Sequence, residues 1–180
     1  LFVFVIFLSI SIVRHRMRYE AWYFAHLLMY LAIGLAFTHQ LGTGDLREAW
    51  PLYYWYALNF SVFGLLLLYR FLLPLALFAR HRFIVQSIVE ETPDTFSVYI
   101  TGAHMEKFYF KAGQYANINI LARGMWYSHP FSFSSAYNGH YVRFTIKRLG
   151  DYTNKIQTVA PGTHVVIDGP LGLFVDELAR

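Results

Sequence analysis

The chain has 180 residues, 56% hydrophobic, 19% aromatic and only 14% charged, with a mean hydropathy of +0.35. Soluble domains average about 25% charged residues, so a water-facing surface throughout is excluded, and the absence of cysteine excludes disulfide scaffolds, thiolate-held metal sites and cysteine nucleophiles. The net charge of +4 and pI near 9.3 do not point to nucleic acid, because the arginines stand beside apolar segments and read as membrane-topology signals. Residues 1–79 hold five Arg, no Lys and three acids (Glu20, Asp45, Glu48), whereas residues 80–180 hold ten Lys plus Arg and eight acids. A membrane part, 1–79, is therefore expected before a soluble part, 80–180, of a size for one small core.

Leu1–Val13 is almost wholly apolar and reads as the end of a helix, shorter than the ~20 residues that span a bilayer. With no initiator Met and no basic leader it makes a poor signal peptide, and a chain beginning partway through a helix is expected to be a piece of a longer one. Arg14, His15, Arg16 and Arg18 then form a basic cluster, expected on the cytoplasmic side. Tyr19–Leu41 is an apolar stretch able to span with some tilt. Gly42-Thr43-Gly44-Asp45 is a turn, and Trp50, Tyr53, Tyr54, Trp55 and Tyr56 suit an interfacial aromatic belt. A third apolar run, 52–70, ends near Arg70 and precedes Pro74, Arg80 and Arg82. The arginines predict an outward second helix, a returning third and a cytoplasmic remainder.

After Arg82 the pattern changes to short β-prone segments. Phe83–Glu90 and Thr95–Thr101 flank a Thr-Pro-Asp turn, Gln114–Ile120 and Tyr141–Lys147 alternate with period two, and His164–Asp168 follows. Such strands with Gly and Pro turns predict an antiparallel barrel or sandwich. Asp151–Val159 is the one predicted helix, with Asp151 as its N-cap.

His26 and His39 lie in one apolar span, where ionisable groups are costly and usually functional. Neutral imidazole is a haem ligand, and a spacing of 39 − 26 = 13 residues sets the two about 20 Å apart at ~1.5 Å per residue. That suits two stacked b-type haems, one near each membrane face. The bland alternative is a histidine that caps the helix or bonds a neighbouring backbone. Thirteen steps of ~100° turn the helix through about 220°, so either it is irregular near Gly34 or the haems lie on different sides. His15, His81, His104, His140 and His164 are expected at the surface.

His129-Pro130-Phe131-Ser132-Phe133-Ser134-Ser135 is the sharpest string. Pro130 keeps its neighbour extended, and the Phe/Ser alternation offers rings one apolar face and a row of hydroxyls on the other. A flavin wants that combination. Lys147-Arg148-Leu149-Gly150-Asp151-Tyr152-Thr153 follows as strand, turn and helix start, a place for pyrophosphate on backbone N–H groups. Taken singly, each is equally an ordinary edge strand or an ordinary N-cap.

Together, Tyr19-Glu20-Ala21-Trp22 with His26 and His39-Gln40, then His129-Pro130-Phe131-Ser132, Gly150-Asp151-Tyr152-Thr153 and Gly169-Pro170-Leu171-Gly172, resemble the ferric reductase / NADPH oxidase family over essentially the whole chain. The resemblance implies part of a membrane α-helical bundle followed by an all-β antiparallel Greek-key FAD-binding barrel with one short helix. It implies His26 on the cytoplasm-proximal haem and His39 on the distal one. His129 through Ser135 would line FAD, with Ser132 close to the isoalloxazine. Gly150, Asp151 and Thr153 would hold the pyrophosphate, with Lys147 touching FAD from the strand before. Gly113-Gln114-Tyr115, which also matches, reads as a strand start. The family has about six membrane helices, with opposing haem ligands from an earlier one, and continues into a nucleotide-binding domain that delivers NAD(P)H electrons; both are expected outside this chain. Where the wider flavoprotein reductases open the flavin motif with Arg, this chain has His129, as in the oxidase branch. The implied activity is electron transfer from NAD(P)H-reduced FAD through two haems to oxygen or ferric iron across the bilayer. The rivals are a membrane-anchored flavin or nucleotide sensor without haem, and an anchor whose barrel has lost its cofactor.

Overall fold

The computed structural model describes Val3, 19–41, 49–125 and 127–173. The rest of Leu1–Val13, the Arg14–Arg18 cluster and the Gly42–Asp45 turn lie outside the described residues. The chain divides into two compact units, Leu1–Gly64 and Leu65–Arg180.

In the first unit, α1 (Tyr19–Leu41) is α-helical without interruption, Gly34 included. The irregularity considered for the histidine spacing is absent. On a regular helix the two imidazoles leave different sides, about 140° apart. Phe37 meets Tyr56 and Phe60 of α2 (Ala49–Leu67) edge-on, at 5.7 and 6.2 Å between ring centroids.

The third apolar run is longer than its expected end at Arg70. After α2 come a π turn, Leu68–Leu72, and α3 (Leu73–His81), one helical run of 33 residues from Ala49 to His81. Pro74 does not break it because it sits at the start of the renewed α-turn, where a missing N–H is tolerated. The widened turn before it has Leu73 donating to the carbonyl of Leu68, five residues back. Among the described residues this is the one helix long and apolar enough to cross a membrane; the apolar part of α1 is Ala25–Phe37.

The second unit holds six strands: β1 (Ile84–Thr92), β2 (Thr95–Thr101), β3 (Tyr115–Ile120), β4 (His129–Ser132), β5 (Val142–Lys147) and β6 (Val165–Leu171). They form two antiparallel sheets, β1-β2-β5 and β4-β3-β6. An Ile84–His164 bridge joins β1 to β6, and Ser134 N–H donates to the Arg143 carbonyl at 2.8 Å beyond β4. These two seams close a barrel. Period two decides its inside: Ala116, Ile118 and Ile120 of β3 and Val142, Phe144 and Ile146 of β5 are buried while their neighbours face out.

Three expectations need correction. α4 is only Asp151–Ile156, with Gly150 rather than Asp151 at its N-cap, because the Thr153 hydroxyl folds back to accept the N–H groups of Leu149 and Gly150. A 3₁₀ turn, Met105–Lys107, is a second short helix. His81 is buried, not at the surface, because its ring fills an aromatic site against Phe83 and Phe108.

Gly169 lets β6 lie close on β3: a Cβ there would stand 2.8 Å from Ala116 Cβ and 3.1 Å from its Cα. Gly169→Ala is expected to destabilise the barrel by about 1–3 kcal/mol through overpacking, read by denaturant unfolding. An unchanged midpoint would show that the two strands part without cost.

Candidate flavin site

β4 pairs with β3 in the register Ser132–Tyr115, Phe131–Ala116, Pro130–Asn117 and His129–Ile118. It is an edge strand of its sheet, so the N–H that Pro130 lacks is not missed by a second neighbour. Alternation turns Pro130 and Ser132 outward and leaves His129 and Phe131 half-buried. Phe133, one residue past the strand, is buried in the core and stacks on Phe110 at 4.3 Å.

The expected row of hydroxyls resolves into three different environments. Ser132 is exposed. Ser134 is committed to the barrel seam: its hydroxyl donates to the Arg143 carbonyl at 3.0 Å and accepts from Thr145 at 2.9 Å. The Arg143 guanidinium in turn holds the Ser134 carbonyl through Nε, at 3.2 Å, and Nη2. Thr145 passes the chain on to Ser97 of β2 at 2.9 Å. Ser135 differs again, since its Oγ is buried with no hydrogen-bond partner. An unmet buried hydroxyl is costly and marks a place where a ligand or water belongs.

The two flavin-type segments come together through aromatic contact. The His129 ring lies on Tyr152 of α4 at 3.7 Å between centroids and 34°, with Tyr127 beside both at 5.3 and 5.2 Å. Burial pushes the Tyr152 phenol well above its ordinary range. Beside this stack, Thr153 shapes the turn, accepting from Leu149 and Gly150 at 3.0 and 3.1 Å and donating to the Gly150 carbonyl at 3.0 Å. Gly150 itself is extended, with φ −174° and ψ −179°, and a Cβ there would meet nothing within 4 Å. Neither backbone strain nor the protein's own packing calls for glycine, whereas a ligand drawn close across the turn would. The unmet Ser135 hydroxyl is the kind of group that a bound cofactor or water would satisfy.

The cations of the second segment have partners that sequence reasoning missed. Lys147 Nζ lies 3.2 Å from Asp94, and Arg148 Nη2 donates to Glu90 at 2.6 Å. Both acids belong to the β1–β2 hairpin, more than fifty positions earlier in the chain. The Thr92-Pro93-Asp94-Thr95 turn was the available signal for Asp94. Hydrogen bonds from Thr92 and Thr95, then Lys147, hold its carboxyl down to about 2 from an ordinary 3.8. Asp151 stands exposed in the first turn of α4, where a carboxylate suits the helix dipole.

Of the haem candidates, His26 is half-buried and its Nδ1 bonds the Trp22 carbonyl at 3.1 Å. The backbone-bonding alternative is therefore realised at one nitrogen. With Nδ1 donating, a neutral ring carries its lone pair on Nε2, the arrangement that an outer-shell hydrogen bond imposes on metal-ligating histidine. His39 is exposed in the last turn of α1.

A carboxyl with a depressed pKa contributes stability that is complete above its ordinary value and lost as the pH falls through the folded one. The parent is therefore expected to exceed Asp94→Asn in stability at pH 7, with the difference vanishing between about pH 4 and pH 2. Unfolding midpoints of both chains across that range provide the check. A difference independent of pH would contradict the assigned partners.

Known proteins similar to this chain include flavoproteins. A family described as the FAD-binding domain matches residues 80–173. Respiratory burst oxidase homolog protein D of Arabidopsis thaliana is 38% identical over 63 residues, covering 33% of this chain and 7% of that protein. The chain thus spans less than a tenth of that relative. Among solved structures, a ferredoxin NADP+ reductase from Neisseria gonorrhoeae with bound FAD and NADP is 17% identical, with TM-score 0.46, over 53% of this chain and 41% of that one. The cytochrome b5 reductase domain of Ulva prolifera nitrate reductase is 12% identical, with TM-score 0.43, over 52% and 42%. The family match takes in more than half of the sequence and every element from the end of α3 to β6: this chain belongs to the FAD-binding domain family.

Proposed function

We propose that the chain is the flavin-and-membrane segment of an NAD(P)H-dependent oxidoreductase that carries electrons from FAD through two b-type haems to oxygen or ferric iron on the far side of a bilayer. The observation that carries the flavin part is the match of residues 80–173, the barrel with both flavin-type segments, to a family described as the FAD-binding domain. FAD, when bound, takes two electrons as a hydride and releases them singly, which haem iron requires.

In this reading Pro130, Phe131 and Ser132 lie beside the isoalloxazine, while Ser134 and Phe133 fix the strand from behind. The Ser135 hydroxyl supplies a further donor. The backbone N–H groups of Asp151 and Thr153 face the pyrophosphate, with Gly150 in the turn beside it and Lys147 near its edge. His129 orients the entry to the site through its stack on Tyr152. His26 and His39 are the haem ligands on this helix, one toward each membrane face. Apolar side chains exposed along Ala49–His81, Phe60, Leu65 and Phe71 among them, support lipid contact. Arg80 and Arg82, with the Arg14–Arg18 cluster, favour the cytoplasmic side for the barrel. The overlap with a respiratory burst oxidase homolog supports the oxidase branch. Remaining membrane helices and a nucleotide-binding domain are the partners of the full protein.

Thr153→Asp tests the pyrophosphate position cleanly. A carboxylate at this place still accepts the Leu149 and Gly150 N–H groups, loses the bond that the hydroxyl donates to the Gly150 carbonyl, and opposes an anion. FAD affinity is expected to fall at least about tenfold, or ~1.4 kcal/mol, while Ser132→Ala loses only about 0.5–1.5 kcal/mol. Flavin titration of the full-length protein measures both, and parent-like affinity in Thr153→Asp would move the pyrophosphate elsewhere.

For the haems, His26→Leu should remove the inner low-spin signal and His39→Leu the outer one, because an apolar pocket offers no replacement ligand. Reduced-minus-oxidised spectra of the full-length protein decide. Full haem content in both variants would end the assignment.

A further inference from the structure

We propose that His81 is a positioning residue, a two-point clasp that fixes the end of the long helix on the barrel. It acts through both polar groups of one residue, Ala103. The His81 carbonyl accepts the Ala103 N–H at 2.6 Å, and His81 Nδ1 bonds the Ala103 carbonyl at 2.9 Å. A carbonyl cannot donate, so Nδ1 carries the proton. One of the last carbonyls of α3, which no further helical turn can satisfy, thus finds its partner across the joint.

The residues on either side are shaped to this contact. Arg82 adopts the left-handed conformation, φ 47°, and its N–H closes on the Phe78 carbonyl at 2.8 Å, so the chain leaves the helix abruptly. That region is uncommon for a residue with a side chain. On the other side, any Cβ at Gly102 would collide with the His81 carbonyl. The clasp therefore requires glycine at this position.

Burial makes the choice of histidine informative. Only 1% of His81 is exposed, and its ring stacks on Phe83 at 5.0 Å and meets Phe108 edge-on at 5.6 Å. Packing alone would be served as well by phenylalanine, which buries no polar atom. What histidine adds is the Nδ1 donor. From Phe108 the contacts continue to Phe133 at 6.3 Å, the residue directly after Ser132. Two further contacts hold the same helix on β6 and its start: Arg70 to Asp168 at 3.9 Å and Phe78 to His164 at 5.8 Å. The clasp thereby sets the helix at a fixed distance from the strand that carries the flavin motif; its meaning for electron transfer rests on the flavin reading, its geometry does not.

Two variants separate a clasp from mere core packing. His81→Asn sets an amide nitrogen where Nδ1 stands and keeps the hydrogen bond while giving up ring contacts. His81→Phe keeps the ring and loses the donor. Because the chain has no native cysteine, spin labels can be attached at Tyr69→Cys and Val89→Cys, both exposed positions, in the full chain in detergent. The label-to-label distance distribution is expected to stay narrow in His81→Asn and to broaden at least twofold in His81→Phe. Gly102→Ala, which pushes on the clasp from the other side, should broaden it as well. A narrow distribution in His81→Phe, or broadening in both His81 variants, overturns the proposal, and the first would hold even if His81→Asn failed to fold. FAD titration of the same unlabelled parent reports on the flavin reading separately, so absent flavin binding would refute that reading without touching the distances.

Discussion

Beyond β4 the barrel closes on β5 through Ser134, which is held by Arg143 and Thr145. β4 is bonded on one side only, by β3, and Pro130 has no N–H to offer the other side. Closure falls to the two residues beyond the strand, where main chain, hydroxyl and guanidinium all join Ser134 to Arg143. Without that seam the His129–Ser132 strand would be an open edge, and the outward line of Pro130 and Ser132 would have no fixed position relative to β5. A ladder of hydroxyls, Ser134 to Thr145 to Ser97, extends the same seam across the outer face of β5 to β2.

The polar groups around the seam and the turn before α4 are largely consumed by the fold. Thr145, Ser134 and Arg143 are occupied with one another. Lys147 and Arg148 are neutralised by Asp94 and Glu90, so the turn before α4 carries less free positive charge than its sequence suggests. The Ser135 hydroxyl, by contrast, is buried and left by the fold without a hydrogen-bond partner.

Much of the barrel was legible because strand alternation is a local property. Val142, Phe144 and Ile146 against Arg143, Thr145 and Lys147 predicted the inward and outward faces of β5, and burial follows that pattern. The His129–Ser132 strand was legible for a similar reason, since its alternation of inward and outward residues is carried by consecutive positions. The N-cap of α4 was misplaced by one residue because aspartate is a strong cap by preference, and only the return of the Thr153 hydroxyl moves that position to Gly150. The continuation of the long helix past Pro74 was hidden for a comparable reason: proline predicts a stop, and a π turn beforehand removes the need for one.

The sequence by itself determined the order of a charge-poor, apolar first part and a β-rich second part, and the inward faces of the strands. These depend on composition, period and neighbouring residues. The tertiary structure decided what depends on residues far apart in the chain. It pairs Asp94 with Lys147, lays His129 on Tyr152, spends Ser134 on the barrel seam while leaving Ser135 unmet, and buries His81 against Ala103. A hydroxyl, a lysine or a histidine has the same intrinsic chemistry wherever it stands. Whether that chemistry faces a ligand or holds the fold is set by which distant strand supplies its partner, and no local pattern encodes that.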